Sequence, residues 1–238
     1  MTEFRRGIGR SAAYALFAIA FVVPGSSLFA AEEQRGQSSL WFDPTQLPSF
    51  TGVVERYLAD PDGQVDRLLF KEGPQIAFPP DVFEAVSRVA PAGRPLVVWG
   101  IRARKAAVIT MLAFGPPDGE ATMLDRIYWR PQGSPGKSRR KLLLIGTVRS
   151  PYLSPQGEIA GAILQNGDVV RVSSSAAAAL KDRFKEGAKI VAEGSGAETL
   201  YGKAVDAARI GDSVASLEPV PGLSPAPTAH AEAPRPPR

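Results

Sequence analysis

PYLSPQGEIAGAILQNGD, residues 151–168, follows the same script as RYLADPDGQVDRLLFKEG, residues 56–73. Each stretch writes Tyr-Leu, a Pro-x-Gly turn, an apolar run and a glycine turn. One fixed offset also places Gly52, Gly63, Gly73, Gly93 and Gly100 on Gly146, Gly157, Gly167, Gly187 and Gly194. Pro61 falls on Pro155 in the same register, while the Tyr-Leu pair slips by one residue, as a small bulge shift would produce. Coincident glycines at a constant spacing mark an internal duplication.

Each copy can be read element by element. In the first, TGVVERYLA is β-branched and aromatic and reads as a strand. In the turn DPDG, Asp60 caps, Pro61 fixes φ and Gly63 supplies a positive φ. QVDRLLFK and PQIAFP are the next two strands. Pro79-Pro80 then opens the helix DVFEAVSRVA, with Val82, Phe83, Val86 and Val89 at helical spacing. PLVVWGIRA and AAVITMLAF complete the copy. The second copy repeats the plan through IGTVRSPYL, EIAGAIL, DVVRVS, a helix AAAALKDRF with Ser175 expected at its N-cap, KIVAEGS and GKAVDAARIG.

The predicted fold class is mainly β: two tandem five-stranded OB-like barrels, β-β-β-α-β-β each, after an N-terminal signal helix. The helix between the third and fourth strands separates this plan from an SH3-like barrel. The pattern carried by Gly52, Val54, Tyr57, Leu58, Pro61, Gly63, Val65, Leu68, Leu69, Gly73, Ile76, Phe78, Pro79 and Pro80 resembles bacterial OB-fold repeats that follow an export signal. The second copy lacks the Phe-Pro-Pro, and the resemblance names no ligand.

Around the copies, residues 1–31 read as a signal peptide: Arg5, Arg6 and Arg10 precede the apolar stretch AAYALFAIAFVV, a Pro24-Gly25 break and small residues at Ala30 and Ala31. The stretch is short for a bilayer span, so the expected location is periplasmic or secreted. Residues 32–47 are a lead-in, 48–115 barrel 1, 116–141 a basic Pro/Gly-rich linker, 142–212 barrel 2 and 213–238 a disordered Pro/Ala-rich tail. The stretch ATMLDRIYWR inside the linker has the composition of an added strand.

The chain has 238 residues, no cysteine, one histidine and a net charge of +4. That excludes disulfides and cysteine nucleophiles and disfavours histidine-centred metal sites and triads. The cationic excess sits in the leader and the linker, and the two barrels are close to neutral. Asp60, Asp62 and Asp66 cluster, but the short proline-containing turn suits turn formation better than calcium. Ser173-Ser174-Ser175 reads as capping chemistry. No cofactor, metal or catalytic residue is expected.

OB barrels take ligands across strands two and three and the flanking loops. The candidate ligand-binding residues are accordingly Tyr57, Arg67, Lys71, Trp99, Arg102 and Arg104, with core packing and ordinary surface charge as the plainer account. Lys137, Arg139, Arg140 and Lys141 are candidate contacts to an anionic surface, or a solvated linker. The expected function is an exported, non-enzymatic binding or scaffolding protein for a protein, peptide or envelope glycan. The alternative is single-stranded nucleic acid bound through the same face, against which stands the lack of any stacking aromatic on strands two and three of the second copy.

Overall fold

A computed structural model of the chain describes residues 42–127 and 139–222. The leader, Lys137 and the tail beyond Gly222 lie outside the described residues. In barrel 1 the strands are β1 (Ser49–Ala59), β2 (Val65–Phe70), β3 (Gln75–Ala77), β4 (Pro95–Arg102) and β5 (Val108–Gly115), with helix α1 (Phe83–Val89) between β3 and β4. A two-residue strand, β6 (Thr122–Met123), adds to β5. Barrel 2 comprises β7 (Arg140–Leu153), β8 (Ile159–Leu164), β9 (Val169–Arg171), α2 (Ser174–Ala179), β10 (Lys189–Thr199) and β11 (Gly202–Gly211), followed by β12 (Glu218–Pro219).

Closure is the same in both. β1 pairs with β4 through residues 49–53 and with β2 through residues 54–59, so one long strand serves both sides of the barrel. β3 lies parallel to β5, and β9 parallel to β11, completing the rings β1-β2-β3-β5-β4 and β7-β8-β9-β11-β10. Two closed five-stranded barrels therefore stand in tandem. Their interiors are filled by Val54, Leu68, Phe70, Ile76, Leu96, Met111 and Phe114 in the first. Leu144, Val148, Leu164, Val170, Phe184 and Ile190 fill the second. Helix α1 stops one end of barrel 1 with Val86, fully buried.

The glycine pattern has a steric cause. A Cβ on Gly100 would stand 2.1 Å from the carbonyl oxygen of Thr110, and one on Gly194 would stand 2.0 Å from that of Asp206. Both sit at a register shift in the β4–β5 and β10–β11 ladders, where the strands cross at closest approach. Gly63 and Gly157 take φ of +82° and +89° in equivalent hairpin turns, where Asp60 Oδ1 accepts the backbone N–H groups of Asp62 and Gln64 at 2.9 Å.

Register refines the repeat. Val54 faces Phe70 as Val148 faces Leu164, and Leu58 faces Arg67 as Tyr152 faces Gly161. The offset is constant through the strand, so no bulge displaces the Tyr-Leu pair. Tyr152 occupies the place of Leu58, and Pro151 that of Tyr57.

Other expectations shift at the edges. The N-cap of α2 is Ser173, whose hydroxyl accepts from Ala176 N, rather than Ser175. Leu124 is buried and donates its N–H to Leu112 O at 2.8 Å, so the linker begins later than residue 116. Arg140 and Lys141 belong to β7. Residues 213–222 form a capped 3₁₀ turn and β12, with Val220 1% exposed inside the second core, so this part of the tail is structured.

The barrels bury a shared seam. Leu58, Ala59 and Leu69 pack with Tyr152, Ile163, Val169 and Ala204. The contacts are reciprocal: a Cβ on Gly63 would meet Ala197, and one on Gly157 would meet Ala103 and Ala106. Glu55 forms a two-pronged ion pair with Arg149, its own equivalent 94 residues away. Mutual contacts of matching positions are the mark of a two-fold relation, here between halves of one chain.

Gly100→Ala is expected to destabilise the protein by about 2 kcal/mol or more, because a backbone carbonyl must move. Gly73→Ala, where φ is +105° and no atom lies within 4 Å, should cost about 1 kcal/mol. Urea denaturation of both variants checks the order; equal losses would refute the crossing argument.

Candidate functional site

The expected platform does not assemble on barrel 1. Tyr57 is 5% exposed and points inward, its hydroxyl donating to Ala90 O at 2.7 Å. Arg67 is 3% exposed and points the other way, into the seam. There its Nη1 donates to Gln75 Oε1 at 2.9 Å and to Leu153 O at 2.6 Å, with the guanidinium 4.1 Å above the Tyr152 ring. Gln75 in turn donates to Pro151 O at 2.7 Å. The face formed by strands two and three is thus laid against the other barrel. Trp99 is half-buried in the middle of β4, Arg102 is exposed at its end, and Lys71 and Arg104 are exposed in the turns after β2 and β4.

The basic cluster is also spoken for. Arg139 bridges Asp62 at 2.6 Å and Asp206 at 2.8 Å, one from each barrel, and these bonds hold its guanidinium still more firmly protonated. Arg140 pairs with Glu198, and Lys141 pairs with Glu193 at 2.8 Å. Carboxylates already neutralise these three cations, which leaves little attraction for an anionic surface.

A cleft of about 850 Å³ opens instead where the two barrels' loops meet. Barrel 1 supplies the turn Gly63-Gln64-Val65, the Pro79-Pro80-Asp81 entry to α1, Phe83 and Glu84, and the stretch Arg126-Ile127. Barrel 2 supplies the tip of the β10–β11 hairpin, Thr199-Leu200-Tyr201. Strands β10 and β11 are paired all the way to Thr199 and Gly202, which carries this tip across to barrel 1. Thr199 Oγ1 accepts from Tyr201 N and donates to Gly202 O, each at 3.0 Å, and Gly202 closes the turn at φ +111°.

The tip is apolar where a turn is ordinarily polar. Leu200 is 99% exposed and Tyr201 39% exposed. The Tyr201 ring meets Phe83 edge-on with centroids 5.1 Å apart, and Phe83 meets Tyr57 in the same way at 5.2 Å. Tyr57 therefore contributes from beneath, as a prop. On the rim, Arg126 pairs with Asp81 and with Asp125 at 3.2 Å, and Glu84 adds a further negative charge. The residues absent from the sequence reading were Leu200, Tyr201 and Phe83 as a group. The signal for them was an aliphatic-aromatic pair immediately before the turn glycine, Gly202.

Beneath the cleft wall lies Asp60, 2% exposed. Burial, then the neighbouring Asp66 carboxylate, pushes its carboxyl up to about 6 against the pull of the Gln64 N–H and Arg171. Asp66 is pushed up as well, chiefly by burial. No protein-family model, curated protein or solved structure matches the chain.

A carboxyl with a raised folded pKa binds its proton more tightly when folded, so its contribution to stability falls as pH rises from about 4 to about 6. Asp60→Asn keeps an oxygen for the Asp62 and Gln64 N–H groups and has no such slope. Its stability relative to wild type should therefore improve by about 1–3 kcal/mol between pH 4 and pH 7. Guanidinium melts at both pH values test this; a constant difference would count against it.

Proposed function

We propose that the chain is an exported, non-enzymatic binding or scaffolding protein, acting in the bacterial periplasm or outside the cell. In this reading its barrels are OB folds, and it holds an extended segment of a partner protein or peptide. The supporting observation is the β10–β11 tip: an almost wholly exposed Leu200 and a part-exposed Tyr201 beside an aromatic and proline floor. Fully burying such side chains is worth about 1.5–3 kcal/mol each, which soluble domains seldom leave unused at one spot. Aromatic anchors framed by satisfied polar groups are the usual centres of protein interfaces.

Charge narrows the occupant. Among the described residues lining the cleft, Asp81 and Glu84 outnumber Arg126, which favours a segment with an apolar side chain flanked by Lys or Arg. The loops concerned are the β1–β2 turn of barrel 1 and the β4–β5-equivalent hairpin of barrel 2, positions at which OB folds commonly frame ligands. The leader, with its arginines and its short apolar stretch, supports export.

Selection from a displayed random-peptide library, counter-selected against the Leu200→Asp/Tyr201→Ala variant, tests the reading. The expected outcome is a family of apolar-basic peptides whose affinity for the wild type falls tenfold or more in that variant. Three outcomes would overturn it. One is no enrichment. Another is salt-steep binding of a labelled oligonucleotide that the variant abolishes. The last is tighter peptide binding after Tyr128 and Trp129 are replaced by Ser, which would make the chain its own occupant.

A further inference from the structure

The seam contains a second, smaller cavity that differs in chemistry from the cleft. About 240 Å³ lies between Asp66, Arg67 and Ala77 of barrel 1 and Tyr152, Ala160, Arg171 and the two serine turns of barrel 2. Its floor is charged. Asp66 is 4% exposed, and its Oδ1 has no hydrogen-bond partner among the described residues. Arg67 is 3% exposed, and its Nε has none either. Arg171 approaches Asp66 Oδ2 only to 3.7 Å and Asp206 Oδ1 only to 4.0 Å, both beyond hydrogen-bonding length. Its guanidinium also stands 5.6 Å from the Tyr152 ring centroid, with that of Arg67 at 4.1 Å.

Unsatisfied buried polar atoms each cost about 1–3 kcal/mol, more when charged, so natural seams remove them unless something fills the gap. Next to the cavity the seam is satisfied: Arg67 Nη1, Gln75 and the carbonyls of Pro151 and Leu153 are mutually bonded. Of the three unsatisfied buried side-chain atoms among the described residues, two line the cavity; the third, Arg56 Nε, lies where Arg56 reaches Gln165 O across the seam. The deficit at the cavity has two signs: among the described residues Asp66 Oδ1 lacks a donor and Arg67 Nε an acceptor, while Arg171 holds only long ion pairs. A simple anion would satisfy Arg171 and repel Asp66, and a simple cation would do the reverse.

We infer that this cavity is a binding site for a small amphoteric molecule of the α-amino-acid class, its ammonium directed to Asp66 and its carboxylate to Arg171. Size agrees with this. At about 30 Å³ per water the space of about 240 Å³ holds about eight, the scale of a small molecule and too little for a polymer segment. Ser154, Gln156, Ser173 and Ser174 line the mouth and suit a small polar side chain. The site is independent of the peptide cleft, since it shares no lining residue with it.

Thermal melts and calorimetry of the full-length protein test the proposal, with glycine, L- and D-alanine, L-threonine, L-glutamate, galacturonate, glucose and inorganic phosphate as probes. At least one α-amino acid should raise the melting temperature with a logarithmic dependence on concentration and give a saturable heat. Asp66→Asn and Arg171→Gln should each weaken that binding at least tenfold relative to their own ligand-free baselines, and Arg171→Lys should retain part of it. Three results would overturn the assignment. One is no response to any amino acid, which would leave a water-filled cavity. Another is a response to phosphate or glucose that equals or exceeds that to every amino acid. The last is an amino-acid response that survives Asp66→Asn unchanged.

Discussion

Within each barrel the fourth strand passes so close to the fifth that a carbonyl oxygen occupies the space a side chain would need. The approach at Gly100 and Gly194 lets a five-stranded sheet turn through a full circle. Once the circle closes, β3 must lie beside β5, and β9 beside β11, in parallel. That parallel pair fixes where the helices stop the barrels and which side of strands two and three points outward. The outward side becomes the seam, so the position of one hydrogen-only residue propagates into the relation between the halves.

The seam in turn decides which surfaces remain available. Laying the two strand-two-and-three faces together removes the broad ligand surface of a solitary barrel and replaces it with loops from different halves. The turn at Gly63 and the tip at Leu200 lie far apart in the chain, yet they border one cleft because β10 and β11 run long. Arg139 reinforces this meeting by holding Asp62 and Asp206 at once. The shape of the cleft is thereby tied to how firmly the halves are held.

The duplication and the order of the strands were legible because glycine at a crossing or a positive-φ turn answers to local geometry alone. What stayed hidden depended on partners far along the chain. Arg67 reads as a surface cation on any strand; only the carbonyl of Leu153 and the ring of Tyr152 turn it into a buried one. Arg139, Arg140 and Lys141 read as an unmatched basic run because Asp206, Glu198 and Glu193 come more than fifty residues later. The Tyr-Leu pairs misled for a subtler reason. Shared letters suggested a slip, whereas strand pairing keeps position 152 in step with Leu58, so one tyrosine faces a core and the other the seam. Leu200 and Tyr201 fall between the expected strands KIVAEGS and GKAVDAARIG, and their role depends on Phe83 in the other barrel.

The Glu55–Arg149 pair carries a consequence of its own. Two identical subunits meeting across a dyad place every axial residue opposite a copy of itself, and a charge there confronts its own sign. At about 4 Å such a confrontation costs on the order of 1–4 kcal/mol near a protein surface, where opposite signs would gain a similar amount. Joining the copies in one polypeptide removes that restriction, since each half can mutate alone. The chain has used this freedom at the place where symmetry is strictest. Neither half alone could form the present seam with a second copy of itself without placing Glu55 against Glu55, or Arg149 against Arg149.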